Sequence, residues 1–382
     1  MLKIFEEEIK GGIAFFKDGM GRRSLVRDRF PRDPKLASIA SSGFALSSFA
    51  IGAHYGFLSK EEAERLCLLI LTDSLLIESD HGFFYHFYDM DTTKPTWWTE
   101  LSNIDTALYF MGVIVAGNFF GGRVAEAARQ ILERADWSYW KAPDKPYLYM
   151  GKKKDGFFAY WQDYAEQLMI YVLAGGAAKT EYSLSDDYYR QIDKPMGQYG
   201  PHRFIYSHTN GVFTHLYSQL FIPFKGKKDP ALIDWHQNSV EALKAHYEFC
   251  EKEKGQRPSC QLGWGLSACD AADGYHGDYG VPPGCGVYDG TIAIYAALGA
   301  LPFCPEEGLE AFKKYAQDPR LQSRYGLIDS FNLENGFFAD GVIGIDKGIA
   351  LIGLANYLDG FIWEINSQER IFAKGFETLG IK

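Results

Sequence analysis

The feature that most constrains this chain is its rhythm. Apolar helical stretches recur along its whole length, and the connectors between them alternate between short and long. Helices are expected at residues 3–17, 35–55, 59–79, 102–120, 124–135, 160–176, 211–219, 229–253, 291–300, 306–316, 347–358 and 361–376. Convincing period-two strands are almost absent, and no Pro- or Ser-rich linker offers a place to divide the chain. About twelve helices make six hairpins of roughly 60 residues each. The expectation is an all-α fold, a single (α/α)6 toroid over residues 1–382, with residues 1–34 as an N-terminal helix and connector. Its long loops would line a central pocket at one end.

Charge narrows the partners. The net charge of −10 leaves no electrostatic footprint for nucleic acid or for an anionic membrane, so a neutral substrate is the easier match. No stretch reads as long and apolar enough to cross a bilayer. The first ten residues, Met-Leu-Lys-Ile-Phe-Glu-Glu-Glu-Ile-Lys, are amphipathic and acidic rather than built like a signal peptide, which points to the cytoplasm. The six cysteines form no Cys-x-x-Cys or zinc-type pattern and are expected as free thiols; no cofactor or metal is implied. Oligomeric state is not fixed by the sequence. Aromatic residues reach 16%, and rings with an apolar face and a polar edge suit a sugar-lined cleft, although they suit a core as well.

Within the helix expected at 160–176, Glu166 shares the i, i+3, i+4, i+7 face with Met169, Ile170 and Leu173. A carboxyl on an apolar stripe is driven toward its protonated form, which suits a general acid near neutral pH. The same residue could instead be paired with an Arg or with backbone donors. Other carboxylates have equally double readings. Asp105 follows Ser102 at helix-capping distance, yet with Glu100 it also stands beside the aromatic loop holding His86. Asp346 precedes an apolar helix, so it is an N-cap or else a carboxylate kept ionised by the helix N-terminus and fit to act as a base. Two carboxyl groups with opposite pKa tendencies are what glycoside hydrolysis requires.

The loop Gly263-Trp264-Gly-Leu-Ser-Ala-Cys-Asp270-Ala-Ala-Asp273-Gly-Tyr275 supplies Trp264, Asp270, Asp273 and Tyr275 as candidate substrate contacts, and Asp289 continues this wall or caps the next helix. Trp161 is a further candidate at the start of the Glu166 segment. A nucleophile elbow, a phosphate-binding loop ending in Lys-Ser/Thr and a His-Glu-x-x-His motif are all missing, and His81, His86, His208 and His215 lack helical metal spacing.

One ordered set of motifs is more specific than any of its members. Gly82-Phe-Phe-Tyr-His-Phe, Glu100-x-Ser-x-x-Asp105-Thr-Ala-Leu, Tyr164-Ala-Glu166, Phe213-x-His-x-Tyr-Ser, Asn238-Ser, Trp264-Gly-Leu-Ser-Ala-Cys-Asp270, Asp289-Gly-Thr, Tyr325-Gly-Leu-x-Asp329-Ser-Phe-Asn and Ile345-Asp346-x-Gly together resemble the glycoamylase-like glycoside hydrolases, a group that includes bacterial endo-β-1,2-glucanases. The resemblance covers about residues 80–376. It implies an (α/α)6 barrel and inverting hydrolysis of a β-linked glucan or gluco-oligosaccharide, most simply β-1,2-glucan, with the acid at Glu166. Asp346 is the first choice for activating water, with Asp105, Glu100 and Asp270 next. The chain departs from the group's pattern at Tyr164-Ala-Glu166, where Asn usually precedes the Glu, at Gly175-Gly-Ala, where Gly-Ser-Pro often follows that helix, and at Ile349, where Pro is common. Two other readings keep the barrel: a sugar epimerase or isomerase working through His86, His208 or His215, and a glycan-binding protein without catalysis.

Overall fold

The computed structural model describes residues 3–382, so the first two residues of the expected domain lie outside the described residues. The chain runs through α1 (Lys3–Asp18), α2 (Ile39–His54), α3 (Lys60–Ser74), α4 (Asn103–Phe120) and α5 (Gly122–Leu132). It continues through α6 (Leu168–Gly175), α7 (Asp187–Gln191), α8 (Tyr217–Phe221), α9 (Trp235–Glu253) and α10 (Pro258–Leu262). The last third holds α11 (Ile294–Gly299), α12 (Pro305–Gln317), α13 (Gly344–Asp359), α14 (Phe361–Asn366) and α15 (Arg370–Leu379).

Two kinds of helix alternate. Helices α2, α4, α6, α11 and α13 are apolar on every side and buried nearly throughout, whereas α3, α5, α9, α12 and α15 bury one stripe and expose the other. The buried set packs together: α2 against α4 and α13, α11 against α13, α4 against α6, and α8 against both α6 and α13. Glycines let these helices approach closely. A Cβ on Gly112 of α4 would stand 1.9 Å from the carbonyl oxygen of Gly43 on α2, and one on Gly353 of α13 would stand 2.5 Å from the Cα of Gly299 on α11. The buried apolar core is continuous from Phe5 to Ile381.

Local signals fix many helix starts. Ser38, Ser59, Ser102 and Asp234 each accept a hydrogen bond from a backbone N–H in the first turn of the helix that follows, and Gly360 ends α13 in the left-handed conformation. Several expectations need correction. The segment 160–176 is not one helix: residues Gly156–Tyr160 form a hairpin strand with Tyr149–Lys153, and helix begins only at Leu168. Asp229 does not open a helix but accepts from the N–H groups of Ala231 and Ile233 in a turn, which delays α9 to Trp235. Residues 361–376 are divided between α14 and α15. Strands are also commoner than expected, forming eight small sheets of two or three members among the described residues. Most are two to four residues long, too short for alternation to register in the sequence.

The short sheets gather ahead of helix N-termini. Arg29–Phe30 pairs with Val342–Ile343 before α13, Leu36–Ser38 with Phe87–Asp89 before α2, and Leu101–Ser102 joins the Tyr149–Lys153 hairpin before α4. Among the described residues one helix, α4, is long and apolar enough by length and composition to cross a membrane, contrary to the expectation that none is. Its window is 72% buried inside the protein, so its all-round apolarity meets neighbouring helices on every side.

Candidate active site

An open cavity of about 510 Å³ lies where the N-terminal ends of α4, α6, α8 and α13 come together. It is lined by four acidic side chains, Asp28, Glu100, Asp105 and Glu166, and by the two bases Arg29 and His86. Aromatic and apolar walls separate these groups, among them Phe87, Phe158, Trp161, Phe213, Tyr217 and Tyr275.

Glu166 occupies the turn before α6 rather than the apolar face of a helix. That turn is pinned by two neighbours. Gln167, fully buried, accepts from the Ala165 N–H (2.8 Å) and donates to the Asp163 carbonyl (2.7 Å), while Ser218 Oγ donates to the Glu166 carbonyl (2.8 Å) and accepts from the Met169 N–H (2.9 Å). Among the described residues the Glu166 carboxyl has no side-chain hydrogen-bond or ion-pair partner, and Glu166 lines the cavity. Burial, aided by the nearby charge of Asp105, raises its pKa to about 7 against an opposing backbone hydrogen bond. The raised pKa expected of Glu166 is therefore present, although the backbone that produces it is a turn.

Opposite lies a charged cluster. His86 Nδ1 is 3.0 Å from Glu100 Oε1 and its Nε2 is 3.4 Å from Asp105 Oδ1. Burial works against a charged imidazole here, but Asp105 and Glu100 outweigh it and raise the His86 pKa to about 8. Glu100 is correspondingly lowered, because its bond to His86 overcomes its own burial. Asp105 also accepts from Ser102 Oγ at 2.6 Å, and Ser102 caps α4, so the capping and cavity readings of this motif both hold. His86, Glu100 and Asp105 place one nitrogen and two carboxylate oxygens within 4.8 Å of one another, a set that could hold a cation. The imidazole spans the two carboxylates with one ring nitrogen on each, which already satisfies the three groups as an ion-paired cluster.

Asp346 is neither an N-cap nor a carboxylate of low pKa. It is the third residue of α13, whose N-cap is Ile343, and it is 2% exposed. It lies against Asp329 at a void of about 10 Å³, while its neighbours Ile343 and Ile345 face the open cavity. Burial and the charge of Asp329 push its pKa well up, and burial raises Asp329 too, so the pair retains a proton. A helix N-terminus contributes about 1 kcal/mol, too little to offset burial beside a like charge. Glu166 and Asp346 are not at opposite ends of the protein, since both act on the phenol of Tyr217, which burial and these charges keep protonated.

The remaining candidates divide. Trp161 lines the cavity as a buried wall, its Nε1 donating to Asn103 Oδ1 at 3.0 Å, and Tyr275 lines it with the Arg29 guanidinium 5.4 Å from its ring centre. Asp270 is buried behind the wall and holds Arg29 at 2.9 Å. Trp264 is buried elsewhere with its Nε1 on the Glu307 carbonyl, Asp273 is an exposed partner of His276, and Asp289 accepts from Tyr279 and from the Thr291 N–H. These four do not line the cavity: Asp270 and Trp264 bond to groups outside the loop, and Asp273 and Asp289 to groups within it. His208 contacts Cys285, and His215 is a core residue that burial lowers to about 3. The six cysteines are free.

The sequence reading missed Asp28 and Arg29, which lie in the segment read as an irregular connector and whose only signal was its basic character. It also left Tyr217 and Ser218 without a role, though both belong to the motif Phe213-x-His-x-Tyr-Ser.

Residues 159–370, more than half of the chain, match the Glycoamylase family model, described as "Putative glucoamylase". The chain is 21% identical over 409 residues to an exo β-1,2-glucooligosaccharide sophorohydrolase (non-reducing end) of Parabacteroides distasonis, covering 93% of this chain and 54% of that protein. It thus spans about half the length of that curated relative. Among solved structures it is similar to one from Bacteroides uniformis described as a putative glucoamylase (TM-score 0.91, 22% identity, 100% of this chain and 97% of that one). It is also similar to an endo-β-1,2-glucanase from Chitinophaga pinensis in complex with sophorotriose and glucose (TM-score 0.90, 20% identity, 99% and 98%). At these identities the two structures establish a shared, predominantly helical fold.

Proposed function

Because the chain belongs to the glycoamylase family, we propose that it is a glycoside hydrolase cleaving β-1,2-linked glucan or gluco-oligosaccharide by inversion. The observation that carries this reading is Glu166, a carboxyl with a pKa of about 7 that faces a roomy cavity and is claimed by no other side chain. It protonates the departing glycosidic oxygen. The names of the relatives, both for an exo-acting and an endo-acting β-1,2 enzyme, support the linkage.

Inversion needs a second carboxylate that activates water from the opposite face of the sugar, roughly 6.5–9.5 Å from the acid. We assign this to Asp105, which shares the cavity with Glu166 and is ion-paired with His86. Asp346, the first choice on sequence, is buried behind the wall against Asp329 and does not line the cavity. The same reading takes residues 1–382 as one domain in which six hairpins close into an (α/α)6 ring, the buried helices inside and the amphipathic ones outside.

The test is product analysis with linear β-1,2-glucan beside β-1,3-, β-1,4- and α-1,4-glucans, following the anomer first released. Glu166→Gln should lower kcat about 10²- to 10⁴-fold on the β-1,2 chain. Cleavage of none of these glucans by folded wild-type protein would overturn the activity. If Asp346→Asn abolishes turnover while Asp105→Asn only raises KM, the water-activating role belongs to Asp346.

A further inference from the structure

A second cavity, of about 540 Å³, lies beside the first. The two share a wall one strand thick. Along Thr99-Glu100-Leu101-Ser102, Glu100 and Ser102 line the active cavity, while Thr99 and Leu101 line the second, as the two-residue period of an extended chain requires. The neighbouring hairpin also borders both spaces, with Met150 and Phe158 lining the first cavity and Lys152, Lys153 and Lys154 the second.

The chemistry of the second cavity is that of a sugar site. Trp97 lines it and is 93% exposed, an unusual state for an indole. Around it stand Glu78 and Asp80 as acceptors and Lys94 and the three lysines of the hairpin as donors. Lys152 is engaged by Asp80 and Tyr139, but Lys94, Lys153 and Lys154 form no ion pair among the described residues. An open aromatic face with donors and acceptors of both signs suits the apolar face and the hydroxyl rim of a pyranose. The adjacent Trp98 packs on Phe87, with ring centres 5.0 Å apart, and Phe87 lines the active cavity, so aromatic rings bridge the rim between the two spaces.

We propose that this cavity is a distal saccharide site, which holds glucose units of the same glucan beyond those in the active cavity, with one ring stacked on Trp97 and its hydroxyls bonded by Lys94, Lys154 and Glu78. The proposal rests on the glycan reading of the active cavity. It makes the protein select for chain length.

The experiment compares a linear β-1,2-gluco-oligosaccharide of about ten units with the trisaccharide. The ratio of their kcat/KM values should favour the longer chain in wild-type protein, and Trp97→Ala should reduce that ratio about tenfold, the loss of one stacking contact. Leu232→Ala, at an exposed site elsewhere on the surface, should leave the ratio as it is. A second readout does not need turnover: titrating Glu166→Gln with the longer chain should quench tryptophan fluorescence, and Glu166→Gln/Trp97→Phe should bind about tenfold more weakly with less quenching. An unchanged ratio and unchanged affinity overturn the distal site while leaving the hydrolase reading intact. If no glucan is cleaved at all, the hydrolase reading fails, and the titration alone decides whether Trp97 binds saccharide.

Discussion

The pKa values of Glu166 and His86 are raised to about 7 and about 8, and both displacements have consequences that can be measured. A general acid works only while protonated, so kcat/KM should fall about tenfold per pH unit above about pH 7, where Glu166 ionises. The same shift acts on stability. The folded pKa of Glu166 exceeds its unfolded value of 4.5, so its contribution is complete below about pH 4.5 and is lost as pH rises through about 7. Glu166→Gln, which removes the titration, should therefore melt at a higher temperature than wild type at pH 8 and at the same temperature at pH 4, as followed by differential scanning fluorimetry. His86 adds a second window. Its pKa is raised from 6.5 to about 8, so the stability of its cluster with Asp105 and Glu100 is present below about pH 6.5 and is lost as pH passes 8.

At the scale of elements, the cavity owes its shape to how closely the buried helices approach. The contact between Gly43 and Gly112 leaves no room for a side chain, so Gly112→Ala must push α2 and α4 apart. A loss of about 1–3 kcal/mol is expected from overpacking, read as a lower midpoint in urea. Ser102 tests a different link. It caps α4 and holds Asp105, so Ser102→Ala should cost about 1 kcal/mol of stability and should also weaken turnover, because the carboxylate loses the hydroxyl that orients it. A variant that lost stability with no change in turnover would show that His86 alone is enough to position Asp105. The pinned turn at Asp163–Met169 matters in the same way. Gln167 and Ser218 fix the backbone on both sides of Glu166, which lets a residue outside any helix keep one orientation.

Across the whole molecule, the N-terminal helix is tied to the last third of the chain. Glu8 and Lys347 form an ion pair at 2.5 Å, with side chains 3% and 5% exposed, and Glu8 also accepts from the Leu327 N–H at 2.7 Å. Lys347 follows Asp346, so this pair braces the start of α13 from behind the active cavity. Glu8→Ala would strand Lys347 as an unpaired buried charge and should destabilise the protein by about 3–5 kcal/mol, seen in equilibrium denaturation. The Asp28–Arg29–Asp270 chain of ion pairs plays a similar part from the other side, joining the N-terminal connector to the loop before α11 beneath Tyr275.

The sequence by itself determined the helical rhythm and most helix starts, and it carried the order of motifs that marks the family. The rhythm and the helix starts depend on side chains within about four residues of one another, where capping and periodicity act. Where the local pattern misled, as at 160–176 and at Asp229, short strands and turns too brief to leave a period had taken the place of helix. Only the tertiary structure decided which acids share the cavity and which way each one titrates. Asp270 turned out to be a buried anchor and Asp346 a protonated partner of Asp329, while Asp28 and Arg29 entered from a connector. Arg29 meets Asp270 across 241 positions and Lys347 meets Glu8 across 339. Burial and charge at such sites are set by groups that come together only when the chain is folded, so no local window of sequence contains them.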